Sequence, residues 1–331
     1  MKKVIAYLRM EEWLSSKVTM MLGILMYFLY LSNSSAKKSL IDVLTYFLFL
    51  GMFLAISYVA NDFSDLEIDK KVGKRKVIAT MRKWQIWMLF IVMFLVGNVP
   101  IFFVCKDKCL ATILIIVVYI LGVSYSAPGI RFKERGLIGL VECSFAQRCM
   151  PLCIICLLVD MNPRMCMLLG IWGIVSLLDG FRYILIHQII DMENDLKAGV
   201  NTFITNRQKN YRSVVVVFWV TEIILCLIAL IPLFLKNSVL VIVSVLLNFV
   251  LERWIYIVLC KYAQKDWFTC FDSVPLEAFL NIFLPVMAGI ALTIQHIELA
   301  ILPLGILVIC AKSIKVKLDI ANVYLKSLKD K

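Results

Sequence analysis

The stretch NDFSDLEID, residues 61–69, follows directly on an apolar run at residues 39–60. In a helix each residue turns by about 100°, so Asn61, Asp65 and Asp69 fall within about 80° of one another. Asp62 lies about 100° from Asn61, beside the same face. The stretch therefore predicts three carboxylates and one amide clustered where a membrane-length helix ends.

Carboxylates packed this closely repel one another, and desolvation at a membrane boundary adds to the cost. Hard oxygen ligands suit Mg²⁺, which binds one or two carboxylates and commonly bridges to substrate phosphates. For an isolated cluster, however, a solvated helix end is the stronger interpretation. Its acids would pair with the basic residues that follow, which are Lys70, Lys71, Lys74 and Arg75.

A second acidic stretch favours the metal site over the solvated helix end. The sequence HQIIDMEND, residues 187–195, also ends an apolar run. His187, Asp191 and Asp195 recur every four residues and so line one stripe of a helix. Two such sites, each ending a membrane-length segment, predict two metal ions facing one another across a helical bundle.

The composition predicts an integral membrane protein. Of the 331 residues, 62% are hydrophobic, and the mean hydropathy is +0.89, whereas soluble domains are about 45–50% apolar. Runs of about 17–25 residues can cross a bilayer. They occur at residues 17–33, 39–60, 84–104, 109–126, 137–158, 165–190, 213–235, 238–262, 275–295 and 298–314.

These runs predict one all-α domain over residues 1–331, a polytopic membrane bundle of nine transmembrane helices around a central cavity. The last run, residues 298–314, is left open as a tenth helix. Residues 1–16 are predicted to form an interfacial segment with Met10 and Trp13 facing lipid. Residues 315–331 form a basic C-terminal tail.

The basic residues predict the orientation. Most of the 35 Lys and Arg fall on the side that holds both termini, and the positive-inside rule places that side, with both acidic stretches, in the cytoplasm. Topology and anionic lipid account for the net charge of +12 without a nucleic-acid partner. Neither a Gly-rich phosphate loop nor a nucleic-acid-binding signature occurs in the sequence.

Charged residues inside the apolar runs are expected to face a cavity or a partner. Arg148 has no partner nearby in sequence, which predicts a contact with substrate or with a carboxylate on another helix. Asp179 and Arg182 are three residues apart and so share a face, which is consistent with a structural ion pair. The scattered cysteines are expected to be packing residues.

Three motifs together give the chain a resemblance to a known family. The stretch YSAPGIRFKERG, residues 125–136, is similar to a YSxPxxRxK segment. Residues 61–69 match NDxxDxxxD, and residues 191–195 match DxxxD. These are signatures of the UbiA superfamily of intramembrane prenyltransferases, and they occur in that family's order over roughly residues 15–300.

The resemblance implies Mg²⁺-dependent transfer of an isoprenyl group from an isoprenyl diphosphate to a small acceptor, with loss of diphosphate. It implies metal binding by Asp62, Asp65, Asp69, Asp191 and Asp195, of which all but Asp69 match the positions that hold the metals for catalysis. Expected substrate-binding residues are Asn61, Lys74, Tyr125, Arg131, Lys133, Arg148, His187 and Lys197. Membrane lipid is the other expected partner.

One departure leaves the subfamily open. Many relatives follow the first motif with an Asn and an Arg-Pro pair, whereas residues 70–76 here read KKVGKRK. The acceptor could be an aromatic acid, a naphthoate, a chlorin, a glycerol phosphate or a sugar phosphate. A membrane terpene cyclase and a polyprenyl-phosphate phosphoribosyl transferase remain alternatives within the same fold.

A cation-coupled transporter is the alternative of another class, because paired membrane carboxylates also suit ion pathways. Transporter sites lie near the bilayer midplane, whereas both acidic stretches here fall at helix ends beside basic loops. This placement favours the transferase. The donor's chain length and the oligomeric state are not determined by the sequence.

Overall fold

Ten long helices make up most of the described chain. The computed structural model describes residues 7–66, 77–198, 203–205, 211–257 and 276–329, and its regular secondary structure in these ranges is entirely helical. The helices are Met10–Leu31 (α1), Ala36–Ser64 (α2), Lys83–Val104 (α3), Lys108–Ser124 (α4), Leu137–Leu158 (α5), Pro163–Ala198 (α6), Tyr211–Lys236 (α7), Ser238–Ile257 (α8), Phe279–Gln295 (α9) and Ile301–Lys329 (α10).

The predicted all-α membrane bundle is confirmed. Eight of these helices are long and apolar enough to cross a membrane, and α4 and α9 are shorter apolar helices. The segment left open as a tenth helix forms α10, and residues 297–319 meet the criterion for a span. The prediction of nine helices was therefore approximate.

The helices divide into a central and a peripheral set. In α1 72% of the membrane-length window is buried and in α2 67%, with 61% in both α5 and α6. In α3, α8 and α10 the buried share is only 28%, 22% and 28%. Their large apolar side chains remain exposed, as expected of a surface that faces lipid.

The central helices bring three helix ends together. α1 packs against α9, α2 against α3 and α4, and α6 against α5 and α7. Turns of three or four residues join α1 to α2, α3 to α4 and α5 to α6, and contacts of Asp62 with Arg9 and of Asn61 with Ser126 bring the ends of α2 and α4 to the start of α1. As a result α2, α4 and α6 all end where α1 and α5 begin, which we call the active-site end of the bundle.

The two chain ends differ from the sequence prediction. Residues 10–16 continue into α1 instead of forming a separate segment, and residues 315–329 continue α10. Trp13 was expected to face lipid, and this is wrong, because its side chain is 1% exposed. Its indole lies near Gly51 of α2, where a Cβ would be in ordinary van der Waals contact with the ring at 3.7 Å, and its Nε1 donates to the Leu8 carbonyl at 2.9 Å.

Three helices contain a five-residue π-helical segment, which the sequence did not predict. The segments are Leu14–Val18 in α1, Phe145–Cys149 in α5 and Phe279–Phe283 in α9. A π segment adds one residue to a turn and rotates the side chains that follow it. Such segments are rare and often occur at functional sites.

Candidate active site

The first acidic motif begins in the last turn of α2, beside the basic segment that follows α4. Lys133 Nζ lies 2.6 Å from each carboxylate oxygen of Asp65, and Arg131 Nη2 lies 3.4 Å from one of them. Asn61 Oδ1 accepts from Ser126 Oγ and from Lys133 Nζ at 3.4 Å. The structure therefore brings together residues that are 65 to 72 positions apart in sequence.

Tight turns in residues 125–136 position the two basic side chains. The Lys133 amide donates to the Tyr125 carbonyl at 3.2 Å, closing the segment on itself. Arg131 adopts a left-handed backbone with φ of 41°, which is uncommon for a residue with a side chain. Gly139 of α5 lies against this segment, since a Cβ there would be 2.1 Å from the Phe132 carbonyl oxygen.

Asp62 has a partner that the sequence analysis missed. Arg9, from the residue before α1, donates from Nη1 to Asp62 Oδ1 at 2.8 Å. The same guanidinium binds both oxygens of Glu12 at 2.6 Å and lies 4.9 Å from the ring centre of Tyr58. The role of Arg9 depends on α1 starting earlier than predicted.

A cavity of about 660 Å³ opens between α1, α2, α5, α6 and the segment after α4. Five predicted substrate-binding residues line it, namely Asn61, Tyr125, Lys133, Arg148 and His187. Residues that the prediction did not include also line it, among them Arg9, Lys17, Tyr58, Gln147, Tyr183 and Gln188. Tyr58 could have been found from the sequence, because it precedes Asn61 by three residues on the same helical face.

Tyr125 is a neutral aromatic group in the cavity wall. Burial raises the pKa of its phenol well above the usual range, and the neighbouring Cys143 and Glu142 add to this shift. The phenol therefore keeps its proton at any physiological pH. A neutral ring of this kind can face a cation without offering it a phenolate nucleophile.

Arg148 belongs to a buried charge network at membrane depth. Its guanidinium pairs with Asp179 at 2.8 Å, which is the carboxylate on another helix that the sequence left open, and it also lines the cavity. The predicted pair between Asp179 and Arg182 is confirmed at 2.5 Å. Arg182 then pairs with Glu222 of α7 at 2.9 Å. These four residues are called the buried charge network below.

The second acidic motif is described only in part. The backbone of α6 continues through Asp191, Asp195 and Lys197, while their side chains lie outside the described part of the chain. Asp69 and Lys74 also fall outside the described residues. One turn before Asp191, His187 and Gln188 line the cavity. Among the residues described, no group of three or more His, Cys, Asp or Glu side chains could hold a metal ion.

Solved structures share this fold. A digeranylgeranylglyceryl phosphate synthase has a TM-score of 0.55 at 18% identity, over 90% of this chain and 99% of that one. A UbiA homologue from Aeropyrum pernix has a TM-score of 0.59 at 14% identity, and the match covers 84% of this chain and 97% of the homologue. A UbiA homologue from Archaeoglobus fulgidus, bound to GPP and Mg²⁺, has a TM-score of 0.58 at 15% identity, and the match covers 90% of this chain and 99% of the homologue.

Sequence comparison adds the family. No curated protein matched the chain. The profile of the UbiA prenyltransferase family matches residues 19–283, well over half of the sequence. The match covers α2 to α8 together with most of α1, and it includes the segment 125–136 and both acidic motifs. The chain therefore belongs to the UbiA prenyltransferase family.

Proposed function

We propose that this protein transfers an isoprenyl group from an isoprenyl diphosphate to a small acceptor, with Mg²⁺ and with release of diphosphate. The observation that carries the proposal is the contact of Asp65 with two cations, Lys133 and Arg131, of which Lys133 also lines the cavity. Carboxylates for metal and cations for phosphate are thereby placed side by side. The structure of a family relative bound to GPP and Mg²⁺ supports this choice of ligands.

The described carboxylates fit Mg²⁺. Both oxygens of Asp65 lie 2.6 Å from an ammonium, and Asp62 lies 2.8 Å from a guanidinium, so each carboxylate already binds a cation in this structure. Carboxylate oxygens are the ligands that Mg²⁺ prefers. Mg²⁺ held by these carboxylates would supply positive charge that offsets the charge of the diphosphate. We assign its binding to Asp62, Asp65, Asp69, Asp191 and Asp195.

The basic side chains have a separate task in this proposal. When the allylic C–O bond breaks, negative charge builds up on the departing diphosphate. Lys133 and Arg131 are fixed beside Asp65 by the turns of residues 125–136, so they can bind that charge without reorganising. Lys74 and Lys197 would add to the same field. Asn61 would orient a diphosphate oxygen or a metal ligand through its side-chain amide.

The cavity would protect the cation formed in this step. Its walls come from the central helices, and the core beneath them is apolar, with Phe53, Leu54 and Tyr46 almost fully buried. Exclusion of water limits hydrolysis of an allyl cation. The neutral ring of Tyr125 would add stabilisation of about 0.5–2 kcal/mol if it faces the cation. His187 and Arg148 would contact the acceptor or the donor from α6 and α5.

The product tests this proposal. Membranes containing the protein would be incubated with labelled geranyl, farnesyl or geranylgeranyl diphosphate and a panel of acceptors, with and without Mg²⁺. We expect a product that contains both donor and acceptor carbon, formed only with Mg²⁺. A product with donor carbon alone would instead identify a cyclase. Asp62→Ala and Asp191→Ala should abolish the reaction, and Asp160→Ala, an exposed acid at the other end of the bundle, should not.

We also propose that the active-site end faces the cytoplasm, as the basic residues indicate. Cys109 gives a direct test, because it is exposed and lies near the start of α4, at the opposite end. Cys156 and Cys166 are also exposed near this end, so both would first be replaced by Ser. A membrane-impermeant maleimide should then label Cys109 in intact cells, and Cys109→Ser should remove the signal. Labelling of Cys109 only after the cells are permeabilised would reverse the orientation.

A further inference from the structure

Two π-helical segments meet at the cavity wall. Lys17 lies in the segment Leu14–Val18 of α1, and Gln147 lies in the segment Phe145–Cys149 of α5. Lys17 Nζ donates to Gln147 Oε1 and, at 3.0 Å, to the Tyr58 hydroxyl. All three side chains line the cavity. Because a π segment changes the direction of side chains, both irregularities serve to bring these groups together.

Lys17 differs from the other cations of the cavity in its partners. Arg9 pairs with Glu12 and Asp62, Lys133 with Asp65, and Arg148 with Asp179. Lys17 contacts only neutral groups in the described structure, namely two side-chain oxygens and the Tyr58 ring, whose centre is 4.9 Å away.

The ammonium of Lys17 therefore has one N–H donor without an acceptor in the described structure. It carries three N–H donors, and the structure provides acceptors for two of them. A half-buried charge is most stable when it is paired. Arg148, which follows Gln147, also lines the cavity and is paired with Asp179. Its side chain is 2% exposed, and its Nε–H has no hydrogen-bond partner in the described part of the chain.

The position of this group relative to the acidic motif suggests its use. Tyr58 precedes Asn61 by three residues on α2, so it lies on the same face, about 5 Å further from the helix end. Lys17 is bound to Tyr58, whereas the cations proposed to bind diphosphate are bound to Asn61 and Asp65. Two distinct cationic positions thus share one cavity, about one helical turn apart.

We infer that Lys17, with Gln147 and Tyr58, binds an anionic group of the acceptor. The inference rests on the proposed function and narrows it, because it selects acceptors that carry a carboxylate or a phosphate. The Lys17 ammonium would take the anion on its third N–H. The Gln147 amide nitrogen would donate a second hydrogen bond. Acceptors whose only polar groups are hydroxyls would leave this charge unpaired.

Binding to matched pairs of probes tests the inference. The purified full chain would be titrated with 4-hydroxybenzoate and 4-hydroxybenzyl alcohol, and with a monoprenylglycerol phosphate and the corresponding monoprenylglycerol. We expect at least one anion to bind about tenfold or more tightly than its neutral partner, as a charge-assisted hydrogen bond predicts. The probe pair that shows this preference identifies the preferred anionic group as a carboxylate or a phosphate.

Three variants show whether Lys17 causes the preference. Lys17→Met should reduce the ratio of anion to neutral affinity to about threefold or less, and Lys17→Arg should largely retain it. Lys37→Met is the matched control, because Lys37 is exposed at the opposite end of the bundle. The inference is overturned if neither anion binds saturably, if neutral partners bind equally well, or if Lys17→Met keeps the preference.

Donor binding separates this inference from the proposed function. Mg²⁺-dependent binding of geranyl diphosphate, measured in the same preparations, should change less than about twofold in Lys17→Met. A loss of donor binding in that variant would assign Lys17 to the donor site and overturn the inference. Wild-type protein that prefers anions through Lys17 but never binds geranyl diphosphate would refute the proposed function and leave the anion site standing.

Discussion

The acidic site at the end of α2 and the buried charge network contain similar ion pairs in different surroundings. In the acidic site the side chains of Lys133 and Asp65 are 17% and 18% exposed. In the network the side chains of Asp179, Arg182 and Glu222 are fully buried. Partial exposure lets Lys133 and Asp65 exchange partners, whereas Asp179, Arg182 and Glu222 are closed to any other ion. Arg148, the fourth member of the network, lies between these cases, because it also lines the cavity.

From this difference we propose that the acidic site serves chemistry, whereas Asp179, Arg182 and Glu222 serve the fold. A carboxylate that can release its lysine can take a metal ion, because the cost of separating a partly exposed pair is small. Charges at membrane depth must remain paired. The buried charge network therefore joins α5, α6 and α7. The centre of the Tyr183 ring lies 4.8 Å from the guanidinium carbon of Arg148 and 5.5 Å from that of Arg182, so both arginines share this aromatic contact.

The largest effect is expected from breaking the buried charge network. Arg182→Met would leave Asp179 and Glu222 without their shared cation, which typically costs about 3–5 kcal/mol of stability. Thermal unfolding in detergent should show a strongly lowered midpoint. Arg164→Met is the control, because Arg164 is exposed at the start of α6. An unfolding midpoint equal to that of the wild type would contradict the structural role of the network.

The acidic site should respond in the opposite way. Asp65→Asn removes a proposed metal ligand and one partner of Lys133, so we expect turnover to fall by about 10²-fold or more. Stability should change by less than about 1 kcal/mol, because the pair is partly exposed. Diphosphate release and thermal unfolding, measured on one sample, give both values. A variant that loses stability but keeps turnover would place Asp65 with the structural charges.

Arg9 offers a smaller and more specific change. In this structure its guanidinium binds Oδ1 of Asp62, so Mg²⁺ would have to compete with Arg9 for that oxygen. Arg9→Ala should lower the half-saturating Mg²⁺ concentration about two- to fivefold, the value of a partly exposed ion pair. Lys312→Ala, which removes a pair with the neighbouring Glu11, should leave the Mg²⁺ requirement unchanged. A raised requirement in Arg9→Ala would instead make Arg9 a ligand for phosphate.

The smallest effect is expected at the opposite end of the bundle. The hydrogen bond and charge of Lys106 lower the pKa of Asp160 from its usual value of 3.8. Because the folded pKa is depressed, the pair stabilises the protein above the unfolded pKa, and this contribution is lost as the pH falls through the folded pKa. The side chains are 86% and 70% exposed, so solvent screens the pair. Lys106→Met should unfold within about 1 °C of the wild type at pH 6, and this difference should disappear as the pH falls from 3.8 through the folded pKa.

The sequence predicted the parts of this protein that depend on composition and spacing. Apolar runs of membrane length gave the helices, and the four-residue spacing of Asn61 and Asp65 gave their shared face. The segment 125–136 was recognised from its motif. Asp179 and Arg182 were paired because residues three apart on a helix are neighbours.

Contacts that depend on tertiary packing could not be predicted in this way. The early start of α1 accompanies the burial of Trp13, and Arg9, the residue before this helix, contacts Asp62. Lys17 reaches the cavity within a π segment, whose extra residue breaks the 3.6-residue period used to assign faces. The pairing of Arg148 with Asp179 joins two helices, and the sequence alone gives no register between them.

The central claim is that the two acidic motifs hold one diphosphate through Mg²⁺. Equilibrium binding of labelled geranyl diphosphate to the purified protein tests it most directly, with wild type, Asp65→Asn and Asp191→Asn compared at several Mg²⁺ concentrations. We predict saturable binding to the wild type only with Mg²⁺, and at least about tenfold weaker binding to each variant. Binding that is independent of Mg²⁺, or equal in all three proteins, would contradict the claim.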